Sequence, residues 1–315
     1  MNSSMRSWTW SASLVAVAVT WGWVSLSFGQ AGQPAAAAQP AAPRPYRQLA
    51  PGVMHSIDPL RELRESFSRH DVVELANYNP NLAESNPQFD WAKEVPFRRD
   101  VWCLEFQFKT VRMIHVDVPQ ASGQMRRKLI WYLIYSVTNH GKAMHPVQDA
   151  DGTYKVEPVD KPVVFIPEFS LETSEFPDEK PFPKAYPDRV IPVALGPIGT
   201  REDPRRRFLN SVEMVRPIQV GETVWGVATW EDVDPRIDRF SIYVNGLTNA
   251  YRWADKPGSY QPGTFQPGES LGKGRTFSRK TLKMNFWRPG DEWFEHEKEF
   301  RYGIPGEVDY EWLYR

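Results

Sequence analysis

Residues 101–141, VWCLEFQFKTVRMIHVDVPQASGQMRRKLIWYLIYSVTNHG, decide how the rest of the chain is read. They hold two runs rich in aromatic and β-branched residues, 101–118 and 128–139, separated by a polar turn at 120–127. The first run alternates. Leu104, Phe106 and Phe108 share one face, while Glu105, Gln107 and Lys109 share the other. A period of two places one face of a strand against a core and the other against water. In the second run Leu129, Trp131, Leu133, Tyr135 and Val137 line one face and Ile130, Tyr132, Ile134 and Ser136 the other, so both faces are largely apolar. This pattern predicts a central strand of an antiparallel sheet, stopped by turn chemistry at Asn139-His140-Gly141.

Outward from this pair, short apolar runs recur between turn residues. Residues 154–159 predict a short strand, and 162–173 a further one that Pro167 confines to an edge or a bulge. A strand is expected at 189–195, and two more at 212–220 and 222–230 with Gly221 between them. Residues 239–244 predict another, ended by Asn245-Gly246, and 275–287 the last. Residues 175–187 and 200–207 read as loops, 253–274 as an irregular excursion, and 293–315 as an aromatic, charged tail with few strand signals. The 28 Pro and 20 Gly, scattered between apolar runs, suit many strands joined by irregular loops. One helix is predicted, at 59–70: Ser56 or Asp58 caps it, Pro59 suits its first turn, and Leu60, Leu63 and Phe67 fall on one stripe. The expected fold is mainly β, an antiparallel sandwich with a short N-terminal helical segment and an aromatic C-terminal extension.

Three stretches carry a resemblance. WYLIYSVTNHGK resembles the strand and turn of exported immunoglobulin-like domains in many bacterial surface and periplasmic proteins, and PVVFIPEFSLET is similar to a strand that follows in such domains. IQVGETVWGVATWEDVDPRIDRFSIYV resembles their paired strands near the domain's end. The matched pieces span about residues 101–244 and contain no catalytic residue. The resemblance implies an immunoglobulin-like sandwich in an exported protein, and it implies no reaction.

The first 29 residues predict an export signal: Arg6 precedes an apolar segment, and Ser27-Phe28-Gly29 offers small residues for cleavage. Left uncleaved, the segment would be an anchor, the one membrane contact expected. Residues 30–46, rich in Ala, Pro and Gln, read as a disordered tether. The domain reading continues with a helical or irregular segment at 47–95, the sandwich at 96–250 and the extension at 251–315. The expected setting is periplasmic, cell-surface or secreted. A formal net charge of −1 gives no electrostatic case for nucleic acid. Cys103 is the sole cysteine, so no internal disulfide forms, and mid-strand it reads as an inert thiol.

No catalytic set is legible. The GESLG at 268–272 matches G-x-S-x-G but lacks the strand before and helix after that strain the serine into position. His115, His140 and His145 fall on neighbouring elements but read as turn and surface residues. The oxygen-rich loop of Glu231, Asp232, Asp234 and Asp238 is the candidate Ca²⁺ site, with Asp149 and Asp151 a weaker one. Trp287, Trp293 and Trp312 in the tail and Trp225 and Trp230 on a strand are the candidate ligand-binding aromatics, suited to stacking on sugars. The expected function is a non-enzymatic module that binds a protein or acts structurally at the cell envelope. The alternatives are a carbohydrate-binding module and a hydrolase using a carboxylate pair drawn from Glu105, Asp117, Glu168 and Glu172.

Overall fold

A computed structural model of the chain describes residues 52–57, 100–148, 150, 154–173, 184–258, 274–288 and 300–315. The export signal, the tether, the helix at 59–70, the GESLG motif, Asp149, Asp151 and Trp293 lie outside the described residues.

Two antiparallel sheets stack face to face. In the first, β4 (Met125–Thr138) is the central strand. One of its sides pairs with β2 (Glu105–Phe108) and β3 (Arg112–Pro119), the other with β11 (Thr223–Glu231), and β1 (His55–Ile57) adds to β2. The second sheet runs β9 (Lys184–Pro187), β8 (Glu168–Thr173), β12 (Arg239–Asn245), β14 (Arg275–Trp287). The strands β13 (Tyr251–Asp255), β15 (Arg301–Tyr302) and β16 (Tyr310–Tyr314) also pair with β14. Two ribbons stand apart: β5 (Ala143–Gln148) with β6 (Tyr154–Val159), and β7 (Val163–Val164) with β10 (Pro217–Ile218).

The alternation read in the sequence is the packing rule. Phe106, Phe108, Trp131, Leu133 and Tyr135 from the first sheet and Phe169, Phe240, Ile242 and Phe286 from the second form one buried cluster. Rings meet across the two sheets at Phe106–Phe169 (6.3 Å), Trp131–Phe240 (5.6 Å) and Phe108–Phe286 (6.0 Å). Gly226 makes room for this core: a Cβ there would lie 2.6 Å from the Tyr135 hydroxyl and 2.5 Å from Met214 Cε. The other face of β4 is equally apolar, and it is covered. Ile114, Ile130, Tyr132, Ile134 and Val227 pack under Ile191, Ala194 and Ile198, which belong to or adjoin α1 (Pro192–Glu202).

That helix corrects the strand expected at 189–195. Ile191, Ala194, Ile198 and Glu202 recur at helical spacing, and docking this stripe outweighs Pro197 and two glycines in the helix interior. The run 101–118 is two strands, because Phe108 and Lys109 are both buried and the alternation fails between them. Pro167 separates β7 from β8, but β8 lies inside the sheet between β9 and β12 and is no edge. Residues 212–215 form a turn, leaving β10 as the two-residue remnant of the strand expected at 212–220. The sandwich does not end at residue 250. The strand β14 is interior to the second sheet, and Phe300 and Ile304 are buried beyond it.

Candidate binding site on the second sheet

Alternation along β14 sorts its side chains. Leu282, Met284 and Phe286 enter the core, so Phe277, Arg279 and Lys283 face outward. Register places Trp253 opposite Phe277 and Tyr251 opposite Arg279, and the Tyr251 and Phe277 rings lie 5.7 Å apart. Beside them runs a groove of about 590 Å³ lined by Trp102, Val164, Ile166, Gly246, Tyr251 and Phe277. Ile166 and Phe277 are each 61% exposed, and Val164 is 44% exposed. Exposed apolar side chains concentrated in one groove are the uncommon feature here, since scattered ones need no explanation.

The walls are fixed by the backbone. Gly246 ends β12 at φ +90°, and a Cβ on it would lie 2.2 Å from the Ile166 carbonyl oxygen, so the two segments touch only because this residue is glycine. Asn249 ties the far wall: its Oδ1 accepts from the Trp102 amide at 3.0 Å, and its Nδ2 donates to the Asp100 carbonyl at 2.7 Å. Asn245 accepts from the Thr281 hydroxyl. Glu168 and Arg279, 3.7 Å apart and both exposed, mark the polar rim.

The aromatics singled out in the sequence are placed elsewhere. Trp230 is fully buried opposite Trp131, because its side of β11 faces the core, so it offers no ring to a ligand. Trp225 is half-buried with the Arg206 guanidinium 3.9 Å from its ring centre, and Trp287 has Arg301 over its ring at 5.3 Å. Trp312 packs against the core from β16. The rings are met by cations or by the core.

The acidic loop is partitioned among cations. Lys128 bonds Glu231 at 2.8 Å and Asp232 at 2.9 Å, and Arg288 bonds Asp238 at 2.7 Å. Arg236 lies 2.9 Å from Asp234, and its hydrogen bonds hold the Asp234 carboxyl down at about 2. Among the described residues, no three His, Cys, Asp or Glu side chains come together as a metal cage.

The histidines do not share a site. His140 Nε2 lies 2.6 Å from Glu105, whose other oxygen accepts from Ser56 Oγ at 3.0 Å. This order puts the carboxylate between serine and histidine, whereas activating a serine requires the histidine in the middle. His145 pairs with Asp100 at 2.6 Å, Lys161 holds the second Asp100 oxygen, and His115 is exposed on β3. Of the four strand carboxylates, Glu105 and Asp117 belong to the first sheet and Glu168 and Glu172 to the second.

Two carboxylates, Glu202 buried and Asp188 half-buried, were not marked by any sequence pattern. Glu202, its side chain fully buried, bonds Lys109 at 3.0 Å, Arg112 at 2.8 Å and the Tyr132 hydroxyl at 2.8 Å. Burial pushes its carboxyl up, but Arg112, Tyr132 and Lys109 together hold it below the usual carboxylate range. Burial prevails at Asp188 and raises it, although Ser211 Oγ and the Thr229 amide both donate to it. Both fasten secondary structure: Glu202 the end of α1, Asp188 the outer edge of β11.

In comparisons with known proteins, no protein family, no curated protein and no solved structure matched this chain.

Proposed function

We propose that the chain is an exported, non-enzymatic binding module of immunoglobulin-like sandwich type, and that the groove beside β13 and β14 receives apolar side chains of a partner protein at the cell envelope. The observation that carries this reading is the 61% exposure of both Ile166 and Phe277 across one groove whose far wall Asn249 ties by hydrogen bonds. Apolar centres rimmed by charged groups are the anatomy of protein interfaces. The Glu168–Arg279 pair on the rim supplies a charge of each sign to set a partner's register. A groove walled partly by valine and isoleucine favours a protein over a sugar, which needs flat rings and open polar groups. The sequence resemblance and the predicted export signal support the setting. The test is a photo-crosslinking residue at position 166 in the exported protein. One discrete protein adduct is expected, reduced by Phe277→Ser; a cross-link pattern that Phe277→Ser leaves unchanged would end the reading.

A further inference from the structure

A second cleft, of about 830 Å³, opens where the turn after α1 and the loop before β10 meet the start of β11. Its wall carries Arg205, Arg206, Arg207 and Arg216 beside Trp225. The chain builds this cluster deliberately. The Asp203 side chain accepts from the Arg205 amide at 3.1 Å and its carbonyl from the Arg206 amide at 3.1 Å, a tight turn that presents three consecutive arginines. The turn is bolted to the sheet, since the Leu209 amide donates to the Trp225 carbonyl at 3.0 Å and the Val227 amide to the Leu209 carbonyl at 2.9 Å.

The guanidinium groups are held but not consumed. Arg206 stacks 3.9 Å from the Trp225 ring centre, and Phe208 meets that ring edge-on at 82°. Arg216 is fixed by Glu222 at 2.7 Å. Asp203 Oδ atoms lie 3.6 and 3.5 Å from the Nε atoms of Arg205 and Arg206, and Glu213 stands 3.8 Å from Arg207. Those separations are at or beyond the limit of a hydrogen bond. Four arginines against Asp203, Glu213 and the Glu222 that holds Arg216 leave one positive charge in excess, in a chain whose net charge is −1.

We propose that this cleft is a binding site for a small ligand bearing phosphate, sulfate or carboxylate oxygens. The guanidinium fork matches such oxygens two at a time, and one held flat against an indole loses little freedom on binding them. The volume is that of a small-molecule site.

Calorimetric titration of the full chain with inorganic pyrophosphate, sulfate and citrate tests this and separates the phosphoryl, sulfo and carboxylate sources. Saturable binding of at least one is expected, weakened about tenfold or more by Arg206→Ala and by Arg216→Ala. Arg206→Lys keeps the charge without the fork and should bind about as poorly as Arg206→Ala. Arg236→Ala, an arginine outside the cleft, should leave binding intact. If Arg206→Ala fails to fold, Arg205→Ala carries the same test, its side chain being 92% exposed. Absence of saturable binding for all three anions, or affinity within about twofold of the parent in the folded cleft variants, overturns the proposal.

Discussion

The two sheets have unlike outer faces, and the contrast explains why one of them carries a helix. On the first sheet, Ile130, Tyr132, Ile134 and Val227 form an apolar outer surface, and α1 lies on it. On the second, Ser170, Glu172, Ser241, Tyr243 and Lys283 hold the corresponding positions, half-exposed and cross-linked by charge. Lys283 bonds Glu311 at 2.7 Å, Arg315 bonds Glu172 at 2.8 Å, and the Arg315 guanidinium stacks 4.3 Å from the Tyr243 ring centre. An apolar face has to be covered; a polar lattice does not. Against that background the groove at Ile166 and Phe277 is the exception, an apolar patch beside polar neighbours, which is why it is the surface proposed to meet a partner.

The sharpest way to break the contrast is to detach the cover. Glu202→Ala removes the carboxylate that faces buried Lys109 and half-buried Arg112, and should cost about 3–5 kcal/mol by denaturant unfolding. The sign of the pH effect follows from a carboxyl held below its ordinary value. The stabilisation is complete above the unfolded-state pKa and is lost as pH falls through the lower native one. The parent should therefore lose stability in acid, and Glu202→Ala should lose less. A variant as stable as the parent, with the same acid limb, would mean that α1 is held by its apolar stripe alone.

The second comparison pits one face against the other. Ile134→Ala, under the helix, should cost about 2–5 kcal/mol, whereas Phe277→Ala, at 61% exposure, should stay within about 0.5 kcal/mol. The same Phe277→Ala should abolish most of the cross-linking from position 166. Equal losses of stability from the two substitutions would show that Phe277 is core, and the groove would lose its claim.

The sequence was legible wherever one residue's neighbours settle its face. The double apolar pattern of Trp131, Leu133 and Tyr135 against Ile130, Tyr132 and Ile134 marks β4 as central, as it is. What covers its second face was not legible, because PVALGPIGTRE reads poorly as a helix and only the spacing of Ile191, Ala194, Ile198 and Glu202 betrays it. The groove assembles Trp102, Ile166, Gly246 and Phe277 from four separate stretches, so no local pattern contains it. One signal was present: in 275–287 the core-facing apolar residues fall at even numbers, Leu282, Met284 and Phe286, while the rings of Phe277 and Trp287 fall at odd ones. The number of tryptophans is visible in the sequence, but the cations facing Trp225 and Trp287 come from elsewhere in the chain.

The smallest expected effect concerns the edge of β11, where the first sheet would otherwise show unpaired backbone. Asp188 accepts from the Thr229 amide at 2.8 Å, and the Arg189 amide donates to the Thr229 carbonyl at 2.8 Å. This arrangement ends the sheet without exposing a template for another strand. The bond to Thr229 requires an acceptor, not a charge. Burial raises the Asp188 carboxyl, so its ionised form is disfavoured in the fold: the cost is absent in acid, grows as pH rises through the unfolded-state pKa, and is complete above the native one. Asp188→Asn keeps an acceptor for the Thr229 amide and removes the charge. At neutral pH it should change stability by no more than about 1 kcal/mol, in the stabilising direction, and its advantage should shrink as the parent is acidified. A marked destabilisation at neutral pH would mean that the carboxylate's charge is itself needed at this edge, and that the first sheet is closed by electrostatics as well as by the helix.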